Sequence, residues 1–93
     1  MKAIVIDKFG GPEELHLADR EPPKPGPGEV SVRLAYSGVN FIDVYMRNGS
    51  YARSATYKTP LPMVIGMEAS GVVEAVASDV QNIRVGDRVA FCL

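Results

Sequence analysis

The chain has 93 residues, 46% hydrophobic and 23% charged, with ten Lys and Arg against eleven Asp and Glu for a formal net charge of −1. That size and balance describe one compact domain and leave no cationic excess with which to track nucleic acid or an anionic membrane surface. The single Cys92 excludes an internal disulfide and fits a reducing compartment, and Cys92 with the single His16 cannot make a metal site of ordinary ligand count.

The opening MKAIVID is too short an apolar run for a secretory signal, and no segment is long enough for a transmembrane helix, so the expected location is the cytoplasm. Lys2–Asp7 is a β-branched run closed by the turn residues Phe9-Gly10-Gly11-Pro12 and reads as a first strand. Glu14–Arg20 reads as a second. Residues 22–28 hold four Pro and two Gly, which excludes helix and sheet interior and leaves an extended surface connection. From Glu29 to Gly38, Val30, Val32, Leu34 and Tyr36 alternate with Glu29, Ser31, Arg33 and Ala35. That period-2 pattern predicts a strand with the first set turned to the core.

Asn40–Asn48 changes period. At 100° per residue Phe41, Ile42, Tyr45 and Met46 share one side and Asn40, Asp43 and Arg47 the other, which predicts a short amphipathic helix capped by Asn40 and stopped by Gly49. Residues 50–62 follow neither period and form a long exposed loop. Ser70–Ala77 is a further strand, Ser78-Asp79 and Val85-Gly86-Asp87 are turns, and Arg88–Leu93 enters a last strand. A free C-terminus is usually a polar tail, so an ending at Ala90-Phe91-Cys92-Leu93 suggests a fragment of a longer protein. Five or six short strands with one short helix predict a mainly β fold, a small closed or partly open barrel.

Several side chains carry chemistry. Tyr51, after a Gly-Ser turn, is a candidate hydrogen-bond donor to a carbonyl oxygen, with its ring free to pack against a flat ligand; the alternative is a surface Tyr. Tyr45 is either core or site. Asp43 has a structural reading, as an N3 carboxylate that interacts with the helix dipole and pairs with Arg47 four residues later. Glu68 lies beside apolar residues and reads as the partner of a cation. Arg47, Arg53 and Lys58 form a solvated rim, His16 lies on a polar strand face, and Cys92 reads as a buried small hydrophobe.

Gly66-Met67-Glu68-Ala69-Ser70-Gly71, followed by Ala77, Val80 and Val85-Gly86-Asp87-Arg88-Val89, joins Tyr36-Ser37-Gly38-Val39-Asn40-Phe41-Ile42-Asp43 and the opening Met1-Lys2-Ala3. Together they closely resemble the N-terminal, GroES-like catalytic domain of the medium-chain dehydrogenases/reductases over essentially the whole chain. Zinc alcohol dehydrogenases of that superfamily carry Cys where this sequence has Asn40, a hydroxyl residue where it has Ile42, and His where it has Met67. The stretch Asn40-Phe41-Ile42-Asp43-x-Tyr45-x-Arg47-x-Gly49-x-Tyr51 is similar instead to the zinc-independent quinone oxidoreductases, the zeta-crystallin-like branch.

This resemblance implies an enzyme, a homodimer when intact, that binds NADP(H) mainly in a second, Rossmann-type domain and passes hydride to a quinone or another conjugated carbonyl without zinc. It places Tyr51, Tyr45 and Asn40 as catalytic candidates, with Asn40 and Asp43 at the cofactor-facing cleft edge and no metal ligands. A Gly-rich dinucleotide turn is missing, because Gly10-Gly11 precede Pro12 and Gly26 and Gly28 sit among prolines. The 93 residues are therefore expected to be the substrate half and to be inactive alone. Two other functions stay open: an enoyl or alkenal reductase of the same superfamily, and a non-enzymatic GroES-like scaffold.

Overall fold

The computed structural model describes residues 1–92. It divides into two compact units, Met1–Glu21 with Val39–Gly66, and Pro22–Gly38 with the chain from Met67 on. Each holds one three-stranded antiparallel sheet whose described strands do not close on themselves, so the fold is mainly β without a closed barrel.

In the first unit the β-branched run becomes β1 (Lys2–Ile6), flanked by β2 (His16–Asp19) and a later short strand, Met63–Val64. As the central strand, β1 places Val5 and Ile6 completely out of solvent, and these two are the core of the unit together with Met46. The second predicted strand starts late. Pro12–Glu14 form a 3-10 turn with Pro at its start, and Leu15 N–H is spent on Pro12 O at 3.1 Å, so pairing begins only at His16. Met63–Val64, which pairs with Ile6 and Val5, was not foreseen; two residues carry no period to read.

The helix α1 spans Phe41–Arg47, with Asn40 as an extended N-cap and Asn48 as the C-cap. Gly49 follows at φ +85°, the left-handed conformation that favours glycine, and a Cβ there would also press on the Phe9 side chain at 3.1–3.3 Å.

The second unit contains β3 (Val30–Gly38), β5 (Glu68–Val76) and β6 (Arg88–Cys92) in the order β3-β5-β6, with Met63–Val64 taking the label β4. The expected core face of β3 is corrected. Val30 and Val32 are half-buried, but Leu34 is 51% and Tyr36 78% exposed, while Ser31 from the other face is buried. The reason lies across the ladder: Val30 and Val32 face Val76 and Val73, whereas Leu34 and Tyr36 face Gly71 and Ser70, which have little or no side chain to cover them. Register shifts mark two bulges, one with Glu74 as the extra residue on β5 and one with Ala35 as the extra residue on β3, and the second turns Tyr36 to the opposite face from Leu34. Cys92 is exposed rather than buried, because β6 is an edge strand at this end. The expected continuation of β6 through Leu93 lies outside the described residues.

Candidate functional site

The side chains singled out around α1 and the loop after it all belong to the first unit, and what assembles them is aromatic contact. Phe41 meets Tyr45 edge-on, with ring centroids 5.3 Å apart and planes at 67°. Tyr45 meets Tyr51 at 5.7 Å and 58°, and Tyr51 stacks on Tyr57 at 4.9 Å and 24°. Such pairs add about 0.5–1.5 kcal/mol each beyond the area they bury.

The expected helix faces hold only in part. Met46 is buried and Ile42 half-buried, but Phe41 is 69% and Tyr45 39% exposed, so these rings form a surface ladder rather than core. Tyr45 is therefore not a core residue. Asp43 and Arg47 are half-buried, and the expected ion pair between them is replaced by other partners. Arg47 Nε donates to Gly10 O at 3.1 Å, and Asp43 Oδ2 accepts the Asn40 backbone N–H at 3.0 Å.

That last bond is the carboxylate half of a capping box, and it fixes the backbone of Asn40, which is itself exposed. Asp43 Oδ1 is buried and lacks a hydrogen-bond partner among the described residues, so this carboxylate is built into the helix start and holds Asn40 in place. Asp43→Ala is therefore expected to lower stability by about 1 kcal/mol, read as an earlier urea midpoint with unchanged slope. An unchanged midpoint would show that the bond contributes nothing.

The loop that carries Tyr51 is a succession of tight turns. Ser50 N–H and Oγ both donate to Asn48 Oδ1, at 2.9 and 2.6 Å, and Ala52 N–H donates to Gly49 O at 3.0 Å. Ser54 N–H then donates to Tyr51 O at 2.9 Å, while Ser54 Oγ accepts the N–H groups of Thr56 and Tyr57 at 3.1 and 3.0 Å. Tyr51, Ser54 and Tyr57 are half-buried in consequence. Neither Ser54 nor Tyr57 stood out in the sequence. The available signal was Ser54-x-x-Tyr57, a Ser poised to bond backbone two and three residues on.

Elsewhere, Arg53 and Lys58 are exposed as expected of a rim, and His16 is exposed 3.5 Å from Asp7. Glu68 is exposed at the start of β5, where a Cβ on Gly38 would run into its carboxylate. An open groove on the second unit's sheet is lined by Tyr36, Gly38, Ala69, Phe91 and Cys92.

Residues 26–93 match the family model of the alcohol dehydrogenase GroES-like domain. The chain belongs to that family. It is 47% identical over 90 residues to a quinone oxidoreductase of Pseudomonas aeruginosa, covering 97% of this chain and 26% of that protein. It is 42% identical over 91 residues to the human synaptic vesicle membrane protein VAT-1 homolog, covering 96% and 22%. Among solved structures, the Escherichia coli quinone oxidoreductase complexed with NADPH superposes with a TM-score of 0.88 at 38% identity, covering 99% of this chain and 27% of that one. The motifs thus identify a GroES-like domain of the medium-chain dehydrogenase/reductase superfamily, with quinone oxidoreductases among its relatives. The chain spans about a quarter of the length of the relatives it matches.

Among the described residues no group of three or more His, Cys, Asp or Glu could hold a metal ion, and no helix is long and apolar enough to cross a membrane.

Proposed function

We propose that this chain is the substrate-binding part of an NADPH-dependent quinone oxidoreductase that works without zinc. The observation that carries this reading is the Tyr45, Tyr51 and Tyr57 ladder beside the Asn40-capped helix, which offers a phenol donor on a ring held by its neighbours. A quinone is flat and bears carbonyl oxygens, so it needs ring surface and a donor at one oxygen, and this set supplies both.

Zinc does not fit the residues present. Asn40, Ile42 and Met67 stand where zinc alcohol dehydrogenases place a thiolate, a hydroxyl and an imidazole, and catalytic zinc needs three protein ligands. The nicotinamide fits the chemistry of Asn40, whose carboxamide can both donate and accept as the cofactor's own carboxamide does. A Gly-rich turn for its phosphates is absent from these 93 residues, so a Rossmann-type part of the same protein would hold most of it. When bound, the cofactor supplies the hydride. Tyr51, with Tyr45 in ring contact and Asn40 at the start of the same helix as Tyr45, stabilises the charge that develops on the acceptor oxygen, and solvent or a phenol delivers the proton.

The test is cofactor consumption by the intact protein, with a quinone and an enone assayed side by side, before and after treatment with a metal chelator. Faster turnover with the quinone, insensitive to the chelator, is expected. Loss on chelation with recovery on added zinc would overturn the reading, and preference for the enone would assign the enoyl or alkenal reductase function instead. The 93 residues alone are expected to show neither quinone reduction nor saturable micromolar NADPH binding.

A further inference from the structure

Tyr57 lies beyond every motif that led to the proposed function, yet its ring makes the closest and most nearly parallel contact in the ladder. From Tyr51 to Tyr57 the chain has six residue steps, which would span about 20 Å if extended. Instead the two rings stack with centroids 4.9 Å apart. Two successive turns close that distance. Ser54 N–H is bonded to Tyr51 O, and Ser54 Oγ takes the N–H groups of both Thr56 and Tyr57. One hydroxyl therefore folds the segment back and sets the second ring on the first.

Tyr51 consequently touches a ring from α1 and a ring from its own loop. No hydrogen bond from its own hydroxyl is seen among the described residues, so ring contacts are what orient it. A phenol that stabilises developing charge works only from a fixed point, because a donor that wanders contributes little at the moment of reaction.

We infer that Tyr57, placed by the Ser54 hydroxyl, is a positioning residue that fixes the Tyr51 ring for its hydrogen bond to the acceptor oxygen. The inference rests on the proposed quinone reduction and assigns Tyr57 no contact with the acceptor. Its requirement is an aromatic ring at 57, not a hydroxyl. Tyr57→Phe should keep the stack, Tyr57→Ala should lose it, and Ser54→Ala should loosen it by releasing two backbone N–H groups.

The experiment is a double-mutant cycle in the intact enzyme, with near-ultraviolet circular dichroism of each variant. Three of the four Tyr of these 93 residues lie in the ladder, so the variant-minus-parent difference in the tyrosine bands of the intact enzyme reports on it. Tyr57→Ala is expected to lower kcat about fivefold with KM within twofold, and Tyr57→Phe to keep parental kcat, its tyrosine bands losing only the share of the Tyr57 phenol. In a Tyr51→Phe background the same Tyr57→Ala change should have almost no further effect, since the hydroxyl it positions is gone. Ser54→Ala should reduce the tyrosine bands and kcat in the same direction as Tyr57→Ala.

Multiplicative losses in the double variant, or a Tyr57→Phe variant as impaired as Tyr57→Ala, would overturn the positioning role while leaving quinone reduction intact. A parent enzyme that does not reduce quinones overturns the functional reading and the role together, whatever the spectra show. A merely structural role for Tyr57 would move the spectra and the stability without the dependence on Tyr51.

Discussion

Gly71→Ala is expected to lower the unfolding free energy by about 3 kcal/mol or more, among the largest effects of any single methyl group in this chain. Gly71 lies in β5, the central strand of its sheet, paired with Leu34 on one side and Val89 on the other. A Cβ at this position would collide with the carbonyl oxygen of Arg33, with Arg33 C at 2.8 Å and Leu34 Cα at 3.0 Å just behind it. All three are backbone atoms of the neighbouring strand. They cannot rotate aside, so the strands must separate at the bulge between Leu34 and Tyr36, and the ladder bonds there lengthen.

Gly38→Ala is the control. The atoms nearest its Cβ belong to the flexible Glu68 side chain rather than to backbone, so a smaller change, about 1 kcal/mol, is expected. Urea denaturation of the two variants decides the matter. Equal midpoints would mean that the close approach at Gly71 is not what demands glycine.

Tyr51→Phe is expected to reduce kcat for quinone reduction by about a hundredfold in the intact enzyme, the usual loss when one donor to a developing oxyanion is removed. The change deletes the hydroxyl and keeps the ring, so the contacts to Tyr45 and Tyr57 remain and the fold is not at issue. Tyr51→Ala removes the ring as well and should fall further, with a raised KM because a flat acceptor loses its packing surface. A Phe variant within twofold of the parent would remove this hydroxyl from the chemistry. Tyr45→Phe separates the two phenols: Tyr45 touches Tyr51 at a tilt from the helix side, and its hydroxyl is assigned the smaller share.

Much of this molecule was legible before any coordinates. The strand of Lys2–Ile6, the long alternating strand ending at Gly38 and the helix start at Asn40 all rest on local signals, namely β-branched runs, period-2 alternation and a capping residue three positions before an acid. The family motifs were equally legible, because a turn glycine or a cap is required by the backbone within a few residues of itself.

Burial was less legible. Alternation along β3 correctly marked a strand, but the bulge at Ala35 breaks the period before Tyr36, and the small partners Gly71 and Ser70 leave Leu34 and Tyr36 in the open. The same holds on α1, where the angular pattern grouped Phe41 and Tyr45 with Met46, and only Met46 is buried.

The sequence by itself determined the class of this chain, five of its six strands, its single α-helix, and that Asn40 and Met67 are not zinc-ligand side chains, because each of these is written in neighbouring residues or in a single side chain's chemistry. Tertiary structure alone decided that Tyr45, Tyr51 and Tyr57 form one ladder, and that Asp43 secures the helix start rather than pairing with Arg47. The physical reason is the same in both cases. An aperiodic loop has no repeat that projects one side chain onto another, so the meeting of residues 51 and 57 is set by a few turn hydrogen bonds through Ser54, whose combined geometry exists only once the chain has folded.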